Sequence, residues 1–148
     1  MNVIALVKDA ATQSAAATTI LQLTAASNHA CYLKEIGIGF QGASPAVSGI
    51  SVTLAVQTTT GTMSTVTEVK ENVDDSETIQ GAATHTSTST EPTTTDELRV
   101  WIVNPTQQLV WKVSLRQDMI KVPGGKVLGL IANATAQVTC DAYMVWEE

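Results

Sequence analysis

The chain has 148 residues, 44% of them apolar and 15% charged, with a formal net charge of −6. That is enough apolar material for one core, too little length for two comfortable domains, and not the composition of a disordered chain. Fourteen acids against eight bases exclude a general affinity for phosphate backbones or anionic lipid, both of which need clustered Lys and Arg. Neither nucleic acid nor membrane is therefore expected as a partner.

Twenty-two Thr and sixteen Val are β-branched types that suit a pleated surface and lose rotamer freedom in helices. An all-β domain is predicted. No run of 18 apolar residues occurs, and Met1 to Asp9 lacks the charged lead and long apolar stretch of a secretory signal. The chain is expected to be made in, and assembled from, a cytoplasm. Cys31 and Cys140 then read as small buried side chains. A disulfide between them is the sharper alternative, disfavoured by compartment, and neither has a partner at metal-ligand spacing.

Residues 1–17 differ from the rest. The apolar run Val3 to Val7 precedes the small, polar stretch Ala10 to Ala17, which predicts an N-terminal arm with one short strand, free to pair with a sheet edge of its own or of a neighbour; the alternative is a short helix over 10–17, which alanine favours. From residue 18 a period of two takes over. Ile20 to Leu23 is a short strand. Ile36, Ile38 and Phe40 share a face opposite Glu35, Gly37 and Gly39, and Gln41 to Pro45 is a turn cluster. Ile50, Val52, Leu54 and Val56 point one way and Ser51, Thr53 and Gln57 the other, the pattern of a strand with one face in a core.

The middle is acidic. Between residues 64 and 97 lie eight acids and one base, Lys70. Met63, Val66, Val69 and Val73 recur at three and four, predicting a short amphipathic helix over 63–73. The Thr-rich tract 84–95 reads as part strand, from Ile79 to Ser87, and then an exposed loop. In the last third, strands are predicted over Leu98–Val103, Leu109–Leu115, Met119–Val122, Lys126–Ala132 and Gln137–Trp146. About eight strands at roughly ten-residue spacing read as a sandwich or barrel.

No catalytic constellation assembles from these residues, and no catalytic, cofactor or metal residue is assigned. His29 and His85 fall in polar, turn-like surroundings without a nucleophile motif. Asp74-Asp75-x-Glu77 lacks the spacing of a calcium loop, and Pro123-Gly124-Gly125-Lys126 lacks what a phosphate cradle requires. Trp111 and Trp146 share faces with aliphatic residues and read as core. Trp101 is the ring that best fits an interface.

Three segments carry a resemblance. They are Lys34 to Pro45 followed by Ile50 to Leu54; Gln57 to Met63 with Glu91-Pro92-Thr93; and Val103-Asn104-Pro105, Val122 to Lys126 and Asp141 to Glu148. Together, over residues 30–148, they resemble the small jelly-roll proteins that decorate and stabilise the heads of tailed bacteriophages. The resemblance implies a jelly-roll sandwich spanning 18–148, a homotrimer, and seating on the outer surface of the major capsid protein shell of a virion, with no cofactor. The residues expected at a subunit or capsid interface are Val3, Ile4 and Leu6 of the arm with Trp101, Tyr143 and Val145. The alternative function is a carbohydrate-binding module of β-sandwich type, which needs exposed aromatic rings.

Overall fold

A computed structural model of the chain describes residues 1–13, 16–41, 49–87 and 90–148, the side chain of Ser87 apart. Among the described residues there are twelve strands: β1 Asn2–Ala11, β2 Ala17–Thr24, β3 Cys31–Gln41, β4 Ile50–Gln57, β5 Met63–Thr65, β6 Val69–Lys70, β7 Ala82–Ser87, β8 Thr94–Val103, β9 Gln108–Lys112, β10 Ile120–Val122, β11 Val127–Asn133 and β12 Thr139–Glu147. A single 3-10 turn, Arg116–Asp118, is the helical content of the described residues. Among the described residues no helix is long and apolar enough to cross a membrane.

The pairings make this a jelly roll. The first half of the chain runs antiparallel to the second as one long folded hairpin: β1 with β12, β2 with β11, β3 with β9 and β10, and β4 with β8. Rolling that hairpin sorts the strands into two sheets. The first is ordered β6-β1-β12-β3, with β9 and β10 placed end to end along the far edge of β3; the second is β5-β7-β2-β11-β4-β8. Antiparallel order throughout lets each sheet bury one face and wet the other, as the period of two requires.

Between the sheets the inward positions close the core. Val3, Ala5 and Val7 of β1, Ile36 and Ile38 of β3 and Ala142, Met144 and Trp146 of β12 meet Leu21 and Leu23 of β2, Ile50, Val52 and Leu54 of β4, and Leu128 and Leu130 of β11. Each fully buried aliphatic side chain of this size contributes roughly 1.5–3 kcal/mol from its removal from water. Trp146 is fully buried, and Trp111 and Trp101 pack partly buried against the same cluster.

Two expectations change here. The segment read as an arm, residues 1–17, includes a ten-residue strand inside the first sheet, hydrogen-bonded to β12 on one side and β6 on the other. Its partner lies at the opposite end of the chain (Asn2 faces Glu147), so no local signal announces it. Ser14 and Ala15 of the connector lie outside the described residues, as do Gly42 to Ser48 of the turn cluster and Thr88 and Ser89 of the Thr-rich tract.

The helix over 63–73 is not formed. Met63–Thr65 and Val69–Lys70 are instead short strands. The β-branched residues of this stretch favour extended backbone, and two sheet edges offer hydrogen bonds that a lone three-turn helix would forgo. β6 adds to β1, with the Glu71 amide donating to the Asn2 carbonyl at 2.9 Å. β7 adds to β2 and β5 to β7.

The insert also covers part of the outer face of the second sheet. Gln22 and Gln57 lie buried there, with Gln22 Nε2 donating to Gln57 Oε1 at 2.6 Å and Gln57 Nε2 to Thr19 Oγ1 at 3.0 Å. Strap segments 58–62 and 90–93 pair with each other across Thr58–Thr93 and Thr62–Thr90, both 2.9 Å. Gly61, at φ +61°, makes the turn that brings the strap within reach of the Thr90 carbonyl, where a Cβ would stand 2.5 Å from that oxygen. Glu91 Oε2 accepts from the Thr19 amide at 2.9 Å.

Candidate interaction surface

Residues directly opposite one another in an antiparallel ladder share a face. On the outer face of the first sheet the ladder lines up two rows. One runs Val69, Ile4, Val145, Glu35 and Lys112; the next runs Leu6, Tyr143, Gly37 and Val110. Leu6, Val69 and Val110 are each about half exposed, at 49%, 52% and 51%. Val145 is covered by its neighbours. An apolar band therefore crosses strands that elsewhere carry charge on this face.

Of the six residues expected at an interface, four converge here: Ile4, Leu6, Tyr143 and Val145. Val3 is fully buried between the sheets. Strand parity dictates this, because adjacent residues face opposite sides. Trp101 lies on the other sheet, in β8 opposite Val52, where it is half-buried against the core. The exposed apolar side chains of β8 are its neighbours Val100 and Ile102, the latter 72% exposed.

Tyr143 is held flat by a glycine. A Cβ at Gly37 would stand 2.1 Å from Tyr143 Cε1, so only a residue without one admits the ring. The phenol then donates to Glu35 Oε1 at 2.7 Å, and Lys112 Nζ meets Glu35 Oε2 at 2.8 Å. Hydrogen bonds from Lys112 and then Tyr143 hold the Glu35 carboxyl below its ordinary range. Burial, followed by the bond and charge of Glu35, pushes the Tyr143 phenol up to about 12. The Lys112 ammonium is raised by its bond to Glu35. At one end of the band Arg116 lies 4.4 Å above the Tyr32 ring and 2.8 Å from Glu147.

At the other end, beside Gly39, a recess of about 370 Å³ is lined by Leu6, Tyr143, Asp141, Gln41 and Gln108, among others. Asp141 accepts from Gln41 Nε2 at 2.6 Å and from the Asp9 amide at 2.8 Å.

The remaining chemistry-bearing residues are dispersed. His29 follows β2, beside a recess lined by Glu77, Gln80 and Glu148, whereas His85 sits on β7 opposite Leu21 with its ring 3.3 Å from the Thr86 hydroxyl. Among the described residues no group of three or more His, Cys, Asp or Glu could hold a metal ion. Cys31 and Cys140 are free and buried, at opposite ends of β3's pairing with its neighbours: Cys31 faces Val122 and Cys140 faces Phe40. Burial pushes both thiols up to about 12, with the charges of Glu148 and Asp141 respectively adding to it. The Glu148 carboxylate accepts from Trp146 Nε1 at 2.8 Å and from the Gly81 and Gln80 amides at 2.7 and 2.8 Å.

Gly37, Val69 and Val110 are the members of the band that sequence reasoning did not assign to it, Val69 having been placed on the helical stripe. Gly37 was visible as a small residue on the polar face of a strand, but its role depends on the register between β3 and β12. Comparison with known proteins finds no matching family model, no curated relative and no matching solved structure.

Proposed function

We propose that the chain is a virion structural protein, a decoration protein that assembles as a homotrimer and seats on the outer surface of a bacteriophage head. The observation that carries this reading is the apolar band of Leu6, Ile4, Val69, Tyr143 and Val110 on a rigid sheet. A solvated sheet face normally alternates to polar side chains. A contiguous apolar strip with a charged rim, here Glu35, Lys112 and Arg116, is the composition of a protein–protein contact.

The test is co-sedimentation with shells assembled from the cognate major capsid protein. The full chain pellets with shells at a fixed stoichiometry, and Leu6→Asp lowers that binding at least tenfold while circular dichroism stays unchanged. Equal binding by Leu6→Asp and Val110→Asp would remove the band from the reading, and failure of the full chain to bind shells would remove the reading itself.

A second reading, a carbohydrate-binding module, draws on the recess beside Gly39, where two aromatic rings, a carboxylate and three amides meet. Saturable binding on a glycan array, lost in Tyr143→Ala, would favour it.

A further inference from the structure

The two lateral sides of the sandwich are built differently. On one side the free edges of β1 and β2 are covered by β6 and β7. Directly after β6 the chain makes a tight acidic turn, Glu71 to Thr78, with Val73 near its start and 81% exposed. The turn is fixed by its own bonds. The Asp74 amide donates to Asn72 Oδ1 at 3.2 Å, the Asp75 amide to the Asn72 carbonyl at 3.2 Å, the Glu77 amide to Asp75 Oδ1 at 2.9 Å, and Lys70 Nζ to the Asp75 carbonyl at 2.6 Å. Glu71 is tied to Lys34 at 3.2 Å. Val73 is therefore presented with little ordering entropy left to lose on contact.

One exposed valine needs no explanation by itself. The opposite side supplies a receptor. There β8 and β10 remain edges of their sheets, and between them opens an apolar slot of about 250 Å³ walled by Val56, Leu98, Ile120, Val122, Pro123 and Leu128. Lys121 and Lys126 also line it, and neither forms an ion pair among the described residues. Asp96 shares the adjoining recess with Lys126 without bridging to it. The slot is smaller than the roughly 300 Å³ at which small-molecule sites begin, and it suits one or two aliphatic side chains.

We infer that copies of this chain meet head to tail: Val73 of one copy enters the slot of the next, with Asp74 and Asp75 set against Lys121 and Lys126. The inference deepens the self-assembly reading above and rests on it. Charge selects the occupant, because an apolar knob among carboxylates matches an apolar slot among unpaired ammonium groups. The two features occupy opposite edges of the first sheet, so a copy cannot fill its own slot.

The two features lie at one level of the first sheet. One ladder row runs Lys70, Val3, Trp146, Leu33 and Ile120, and it joins the residue before the turn to the wall of the slot. The contact is heterologous, and copies joined by it close into a ring when the rotation from one copy to the next closes, as the homotrimer proposed above requires.

Light scattering coupled to size-exclusion chromatography tests this on the full chain at micromolar concentration in about 0.1 M salt. The parent chain is expected to run as a closed oligomer. Val73→Asp and the pair Lys121→Glu with Lys126→Glu each weaken association at least tenfold, with unchanged far-ultraviolet circular dichroism because all three sites are exposed in the single chain. Asp74→Lys weakens it less, and combining Asp74→Lys with Lys121→Glu recovers association relative to either alone. An oligomer indifferent to Val73→Asp and to the double lysine reversal overturns this contact and leaves self-assembly standing. So does an oligomer dissociated only by Leu6→Asp. A parent chain that is monomeric throughout overturns both.

Discussion

Gly37→Ala isolates the packing that makes the outer band rigid. The new Cβ would stand 2.1 Å from Tyr143 Cε1 and 2.6 Å from Cζ, so the ring must swing away and its hydroxyl must leave Glu35, now 2.7 Å distant. A hydrogen bond to a charged group contributes about 1.5–3 kcal/mol. Alanine returns about 0.5–1 kcal/mol by restricting the unfolded chain more than glycine does. The net loss is about 1–2 kcal/mol. With an unfolding entropy of about 2.1 cal/mol/K per residue, a chain of this length melts about 3–6 °C lower.

The double-mutant cycle decides the cause. In a Tyr143→Ala background nothing stands over residue 37, so Gly37→Ala becomes neutral or raises the melting temperature by about 2 °C, the backbone term alone. Ultraviolet titration gives an independent reading. The Tyr143 phenolate, which forms only near pH 12 in the parent chain, forms at lower pH in Gly37→Ala. An equal cost in both backgrounds would refute the argument, and so would an unchanged phenol titration.

Three further outcomes follow from the same structure. Both thiols resist a disulfide reagent at pH 8 in the folded chain and react fully in denaturant, because burial holds them near 12; stoichiometric labelling of the native chain would contradict their placement. Glu35 is lowered in the folded state, so its contribution is complete above the ordinary carboxylate range and is lost as pH falls through the folded value. Denaturant midpoints measured from pH 6 to pH 3 therefore fall less steeply for Glu35→Gln than for the parent, and parallel slopes would count against the Lys112 and Tyr143 bonds. Gln57→Ala leaves Gln22 Nε2 and Thr19 Oγ1 without their buried partner. At about 1–3 kcal/mol per unsatisfied group, a measurable drop in urea midpoint is expected, and a neutral result would mean that water takes the place of the side chain.

The sandwich was legible because its signal is local. Alternation in Ile50 to Gln57 and in Val138 to Trp146 sets which side of each strand is buried, and neither needs a partner to be read. What was not legible depended on distant partners. Met63, Val66, Val69 and Val73 fit a helical stripe as well as two short strands, and the choice rests on the free edges of β1 and β2, which lie dozens of residues away. Val3 to Val7 read as an arm because β12 comes at the far end of the chain. Within the band, Tyr143 and Val145 could be assigned from parity with Cys140, Ala142 and Met144. The same parity separates Val3 from Ile4, so the two could not have shared one surface. Gly37 was beyond reach, since its meaning is the ring that the β3–β12 register lays across it.

A rolled hairpin leaves four sheet edges, two on each lateral side, and exposed edges invite pairing with other chains. The acidic insert at the hairpin tip returns to cover the edges of β1 and β2 with β6 and β7. On the other side β8 keeps a ten-residue unpaired edge with Ile102 outermost, and the facing edge is broken into the short strands β9 and β10. Had both sides stayed open, edge-to-edge association could run in either direction and give dimers or open aggregates. Closing one side and hanging acidic groups there makes the sandwich polar across its width. The contact inferred above would join its open side to the closed side of a neighbouring copy, and association by that contact has a direction.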